Sequence, residues 1–412
     1  MSLDTPADAA AAITDAATAV HRLARRTPVL PYPRLSRKFG GEVVLKAENL
    51  QSTGSFKLRG VANKLASLGN TATGGVVAGS AGNHAQALAS GAQQLGIACH
   101  VVMPSWAALA KIEAAKRYGA TVELAGDSLE SAVARAKEHA ETHGMTFVHP
   151  YDDPAVIAGQ GTVGMEIAQD VDDLSQVVVP LGGGGLLAGV AAALRHAVPD
   201  VRIVGVQAAA CAPFAEVFHG RSADGIDLRT TIADGISVKK PGEHTIPLVR
   251  RYVDDVVTVT EDETAEAMVT LLDQAKLVVE GAGAVGMAAL TAGKVQPPPS
   301  GTTVVVLSGG NVDTTVLASV ARRHETQMGR RLVVLTKISD APGSLAALLT
   351  AVGAEDASLV DVQHVRDGLD LHVRETGVQL VMETRGHEHA RAVVEAVEAQ
   401  GHTILRVDGL RP

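Results

Sequence analysis

The sequence predicts an α/β protein with a smaller α+β domain near its C-terminal end. Short valine-rich runs bounded by glycine alternate with longer helical patterns from residue 42 to 307, which is how buried parallel strands joined by helices read. Beyond residue 331 the order becomes strand, helix, strand, strand, helix, strand, a unit able to close a small separate domain. A chain of 412 residues is also too long for one small core, so two or three domains are expected.

In chain order, residues 5–25 read as an alanine-rich helix closed by Thr27-Pro28. Strands are expected at 43–46, 75–78, 99–103, 121–124, 176–179, 202–207, 255–259 and 303–307. Helices are expected at 83–95, 106–118, 128–143, 159–169, 186–197 and 263–277. Pro297-Pro298-Pro299 reads as a surface turn, and the polar, basic stretch 322–331 as a linker. The C-terminal order is strand 332–337, helix 343–352, strands 359–365 and 378–384, helix 387–399 and strand 403–407. The expected domains are therefore residues 1–325 and 332–412, with 326–331 between them.

Composition excludes several partners. Hydrophobic residues make up 46% and charged residues 20%, a folded composition. The net charge is −9, and no basic cluster exceeds pairs such as Arg322-Arg323, so neither nucleic acid nor an anionic membrane is an expected partner. Cys99 and Cys211 lack CxxC spacing, which points to a reducing cytoplasm and away from structural zinc or disulfides. The first residues carry Asp4, Asp8 and Asp15 among alanines, unlike a signal peptide, and no apolar stretch approaches ~20 residues. A cytoplasmic protein is expected.

Four short constellations carry chemistry. Lys57 lies between Phe56 and Leu58, after Ser52-Thr53-Gly54-Ser55, whose hydroxyls and glycine read as a helix start. A lysine on a first helical turn, beside an aromatic ring, is biased toward its neutral, nucleophilic form and could form a Schiff base; the alternative is an ordinary surface lysine. Gly182-Gly183-Gly184-Gly185-Leu186 follows an expected strand and opens a helix, so its backbone amides could converge on a phosphate; the alternative is a tight turn. Ser80-Ala81-Gly82-Asn83-His84 sits in the same strand–loop–helix context and could hold a carboxylate, or be a simple capping loop. Ser308, at the end of the last expected strand, is small and neutral and could meet a ring nitrogen. Together these are the parts that pyridoxal 5'-phosphate requires.

At the level of wording, Glu48-Asn-Leu-Gln-Ser-Thr-Gly-Ser-Phe-Lys57, Ser80–Gln86, Gly182–Leu186 and Ser308-Gly-Gly-Asn311 resemble the serine/threonine dehydratases. The resemblance covers roughly residues 10–325. It implies the tryptophan-synthase-beta-like fold (fold type II, two parallel-sheet subdomains) and pyridoxal 5'-phosphate as cofactor. Lys57 would be the Schiff-base lysine and α-proton base, and Phe56 would pack near the cofactor ring. Asn83 would contact the cofactor's 3′-oxygen, Gly182, Gly183, Gly184, Gly185 and Leu186 its phosphate, and Ser308 its ring nitrogen. Ser80, Ala81, Gly82, Asn83 and His84 would hold the substrate carboxylate, and the cofactor phosphate would serve as acid for the leaving hydroxyl.

Two departures narrow the expectation. Ala81 stands where related serine racemases have a serine that donates a proton from the opposite face, which favours dehydration. Gln207, Cys211 and Pro213 replace the carboxylates with which some relatives bind a metal, so no metal ligand is expected. Residues 332–407, with Asp340-Ala-Pro-Gly-Ser-Leu345 at the first strand–helix turn, resemble a ferredoxin-like ACT-type regulatory domain; the alternative is a structural domain that binds nothing. The resemblance implies L-threonine, with L-serine, as substrate, isoleucine, valine or AMP as effector, and a homotetramer. A serine racemase or other β-replacement enzyme is the nearest alternative activity. An amino-acid-sensing binding protein is the alternative from another class.

Overall fold

The computed structural model describes Leu3 and Thr5–Leu410, so Met1, Ser2, Asp4, Arg411 and Pro412, at the ends of the two expected domains, lie outside the described residues. The chain divides into two units, Met1–Val312 and Asp313–Pro412. The first unit runs α1 (Pro6–Leu23), β1 (Val29–Pro31), α2 (Pro33–Phe39), β2 (Glu42–Lys46), α3 (Lys57–Leu68), β3 (Val76–Gly79), α4 (Asn83–Leu95), β4 (Cys99–Met103), α5 (Leu109–Arg117), β5 (Thr121–Leu124), α6 (Leu129–His143) and β6 (Thr146–Phe147). It continues with α7 (Pro154–Asp170), β7 (Leu174–Pro180), α8 (Gly185–Ala197), β8 (Arg202–Ala208), α9 (Pro213–Phe218), α10 (Thr245–Tyr252), β9 (Asp255–Val259), α11 (Glu261–Thr270), α12 (Gly281–Thr291) and β10 (Thr302–Val306).

Two sheets organise this unit. The larger has the order β1-β2-β10-β7-β8-β9 and the smaller β5-β4-β3-β6. Every residue of β10 is buried, as expected of a valine-rich strand covered on both faces. It lies parallel to both neighbours, with Val304 opposite Val44 and Val177, so loops leaving the carboxyl ends of β2, β7 and β10 emerge side by side. Helices α7 and α8 approach closely, because a Cβ on Gly189 would stand 2.4 Å from the Ile157 carbonyl. The smaller sheet is parallel throughout.

The larger sheet is not purely parallel, contrary to expectation. Strand β1 pairs antiparallel with β2, Leu30 opposite Leu45. A three-residue strand ending in proline gives almost no pattern to read, and proline is tolerated at such an edge. The expected helix at 263–277 leaves α-geometry after Thr270 and makes a π-turn, Leu271–Ala275, capped by left-handed Lys276. The expected helix at 106–118 starts only at Leu109.

The second unit comprises α13 (Thr314–Gln327), β11 (Arg331–Ser339), α14 (Ser344–Ala354), β12 (Ser358–Val365), β13 (Glu375–Glu383), α15 (His387–Ala399) and β14 (Thr403–Asp408). Its sheet has the order β12-β13-β11-β14, antiparallel throughout. Alternation along β11 puts Leu332, Val334, Thr336 and Ile338 inside, against α14 and α15 residues such as Leu348 and Val393. The stretch expected as a linker is mostly helical: α13 runs through residues 322–327, and Arg330 closes back on Glu325 at 2.5 Å. Charge on an exposed helical face reads like charge in a linker. The division accordingly falls after Val312 and not near residue 325.

Candidate active site

A cavity in the first unit brings Phe56, Lys57, Asn83, the glycine loop and Ser308 together. Lys57 is the first residue of α3, but the helix start is not the expected one: Phe56 occupies the capping position and no side chain caps it. Ser55 and Thr53 instead leave buried hydroxyls without hydrogen-bond partners. The Lys57 Nζ donates to the Pro150 carbonyl at 2.9 Å and lies 5.1 Å from the Phe56 ring centroid. Burial lowers its pKa to about 8, while the charge of Glu280 works in the opposite sense. A neutral amine is thus accessible close to physiological pH.

The segment after β6, which the sequence did not single out, holds this lysine in place. His149 Nδ1 accepts from the backbone N–H of Tyr151 and of Asp152, at 3.3 and 2.8 Å, turning the chain so that Pro150 presents its carbonyl. Burial lowers the His149 pKa to about 4, which preserves the neutral acceptor these bonds require. The Asp152 carboxylate accepts from the amides of Glu243 and His244, fixing the loop before α10, and Thr245 Oγ1 donates to the Gly183 carbonyl at 2.7 Å.

The glycine loop joins β7 to α8. Gly184 caps α8 with φ +95°, and the cap has no side chain, so the first-turn amides are left for a ligand. A Cβ on Gly183 would come within 2.4 Å of the Tyr151 ring; one on Gly184 would come within 2.7 Å of Phe214 and of Thr245.

The Ser80–His84 loop lies between β3 and α4. Ser80 Oγ accepts from the Gly82 amide at 3.2 Å, ahead of the helix rather than capping it, and α4 has no side-chain cap. Asn83 reaches the cavity, donating to Glu280 Oε1 and accepting from Asn311 Nδ2, both at 2.7 Å. His84 turns away: its Nε2 is 2.9 Å from the Val148 carbonyl, and burial lowers its pKa to about 3. What the Ser80–His84 loop offers an anion is therefore backbone, not the imidazole. Gln207 is buried and accepts from the Ala215 amide at 2.8 Å.

Ser308 follows β10 and is 3% exposed; its carbonyl accepts from the Phe56 amide at 3.1 Å, tying the ring-nitrogen candidate to the lysine loop. Glu280, which carries no motif, is the main addition. It caps α12, is 5% exposed, and has its pKa raised to about 7 by burial and by Asp234. Beneath the site lies a second group, Lys46, Glu48, Arg59 and Glu166, all 0% exposed. Arg59 donates to Glu48 at 2.8 and 2.9 Å and to Glu166 at 2.7 and 2.9 Å; Lys46 donates to Glu166 at 2.6 Å. Burial works against the Arg59 charge, and the two carboxylates more than reverse this. Two positive and two negative side chains cancel, and they clamp α3 one half-turn beyond Lys57.

Residues 20–309 match the family described as pyridoxal-phosphate dependent enzyme. The chain belongs to this family. The pyridoxal-phosphate dependent enzyme is 42% identical, over 95% of its chain and 98% of the relative, to an L-threonine ammonia-lyase of Geobacter sulfurreducens. It is 45% identical to the catabolic L-threonine dehydratase TdcB of Escherichia coli, over 74% of its own chain and 94% of that protein. Among solved structures it is similar to threonine deaminase isoform 2 of Solanum lycopersicum, with TM-score 0.71 and 32% identity over 76% of this chain and 92% of that one. Maize serine racemase superposes with TM-score 0.70 and 32% identity, over 76% and 97%.

The residues present fit the family's cofactor. Glycines whose Cβ positions are already filled, and a helix start without a side-chain cap, suit a phosphate. The amine with a lowered pKa suits an aldehyde, and the neutral hydroxyl of Ser308 suits a ring nitrogen.

Proposed function

We propose that this enzyme is a threonine ammonia-lyase, converting L-threonine to 2-oxobutanoate and ammonia, and L-serine to pyruvate and ammonia. The observation that carries this is full-length similarity, 42% and 40% identity over 95% of the chain, to two L-threonine ammonia-lyases, around a cavity whose only cationic side chain among the described residues is Lys57. Bound there through Lys57, Gly182–Leu186, Asn83 and Ser308, with Phe56 beside its ring, pyridoxal 5'-phosphate supplies an electron sink that acidifies the substrate α-C–H. Lys57 is the base: its amine, held by Pro150, takes the α-proton on one face. The uncapped start of α4, with the backbone of Ser80, Ala81, Gly82 and His84, holds the substrate carboxylate. Asn83, fixed between Glu280 and Asn311, keeps one orientation of its amide. Loss of the β-hydroxyl as water, then addition of water, yields the 2-oxo acid and ammonia.

Ala81 supports elimination over racemisation, because a methyl group cannot return a proton from the second face. The test supplies L-threonine or L-serine to the purified enzyme and follows 2-oxo acid and D-isomer together. Oxo acid in large excess is expected; abundant D-serine with negligible oxo acid would reverse the reading in favour of a racemase.

For the second unit, the βαββαβ order and the turn between β11 and α14, capped by Gly343 with φ +93°, support an ACT-type regulatory domain. Isoleucine, valine or AMP would act as effector on a homotetramer in the cytoplasm, with the domain extending over 332–412. No described helix is long and apolar enough to cross a membrane.

A further inference from the structure

A second cluster of chemistry-bearing side chains lies on the smaller sheet, and none of its members lines the cofactor cavity. His100 comes from β4 and Glu123 from β5, which run parallel with Val102 opposite Glu123. His139 and His143 come from α6, which covers this sheet. His100 Nε2 stands 3.2 Å from Glu123 Oε2, and His139 Nδ1 stands 3.7 Å from the same oxygen. All three candidate ligand atoms fall within 4.8 Å of one another. Around a tetrahedral ion with bonds of roughly 2.0–2.2 Å, ligand atoms sit about 3.3–3.6 Å apart.

Two further observations point to an ion. His139 Nδ1 is buried and has no hydrogen-bond partner, an expensive state for an imidazole nitrogen beside a carboxylate. Glu123 has its other oxygen, Oε1, held by Arg135 Nε at 2.6 Å, which aims Oε2 at the two histidines as supporting bonds do for metal ligands. His143 is not part of the donor set: its Nδ1 is 3.1 Å from the His139 carbonyl, and its ring stacks on His139 at 4.0 Å. His100 and His139 are themselves stacked at 3.8 Å and 14°, so ligation requires the two rings to fan apart about χ2, a torsion with a broad profile.

We infer that His100, Glu123 and His139 form a binding site for a divalent transition-metal ion, joining β4, β5 and α6. Two imidazoles and one carboxylate select Zn2+, with Cu2+, Ni2+ and Co2+ as competitors, over Mg2+ or Ca2+, which favour oxygen ligands. A fourth position is left for water. Because the site stands apart from the cavity, its role is to tie strand edge to helix, not to enter the reaction.

The test uses the holoenzyme, stripped with chelator and dialysed, and titrates it with Co2+ as the visible probe before competing with Zn2+. One equivalent per chain is expected, with tetrahedral Co2+ absorption displaced by Zn2+, a Zn2+-dependent rise in melting temperature, and unchanged lyase turnover. Glu123→Gln and His139→Ala should each weaken binding more than tenfold, whereas His143→Asn should retain it; cofactor absorbance reports that each variant is folded. Absence of a tetrahedral band in the wild type, or its persistence in folded Glu123→Gln and His139→Ala, overturns the site.

Discussion

At the residue scale, Lys57 is governed by the balance between burial, which lowers its pKa to about 8, and Glu280, which opposes that shift. The neutral amine therefore grows as pH rises through about 8. Glu280, itself raised to about 7, is an anion through most of that range. Glu280→Gln removes the opposing charge, so the pKa of Lys57, read from the pH dependence of cofactor recapture by apoenzyme, should fall below that of the wild type. An unchanged or raised value would contradict this coupling. Ala81→Ser restores a second-face proton donor, and D-serine formed from L-serine should become detectable by chiral chromatography. That Lys57 would share one cavity with Asn83, the glycine loop and Ser308 was legible from the motifs themselves. Glu280 was not, because its role arises from a contact with Asn83 across 197 residues.

At the element scale, the loop between β7 and α8 and the clamp beneath α3 make separate demands. Gly184→Ala combines an unfavourable φ of +95° with a Cβ 2.7 Å from Thr245. It should weaken cofactor affinity at least tenfold by equilibrium dialysis, with α-helical circular dichroism preserved. Glu166→Ala leaves Lys46 and Arg59 short of a partner in a fully buried place, and denaturant unfolding should show a loss of about 3–5 kcal/mol. Strands such as β7 and β10 were legible because burial on both faces writes unbroken valine runs. Helix α12, Gly-Ala-Gly-Ala-Val-Gly-Met-Ala-Ala-Leu-Thr, was not: it is buried nearly all round and shows no periodicity. The clamp was also hidden, since Lys46, Glu48, Arg59 and Glu166 look like surface charges until the fold encloses them.

At the scale of the whole molecule, the chain divides into two units, and the regulatory role proposed for the second can be tested by removing it. The relative from Escherichia coli aligns over 94% of its length to 74% of this chain. A chain ending at Val312 should keep oxo acid formation and lose any response to isoleucine, valine or AMP; a truncated enzyme that still responds would place the effector site in the first unit. The βαββαβ order was legible from alternation, whereas the boundary was not, because α13 presents polar residues on most of its surface.

The most direct test of the central claim is reduction of the holoenzyme with borohydride, followed by peptide mapping by mass spectrometry. The expected result is one pyridoxyl group per chain, on the peptide carrying Lys57, with the visible absorbance of the cofactor bleached. A label on any other lysine, or an unlabelled protein that still turns over L-threonine, would contradict it.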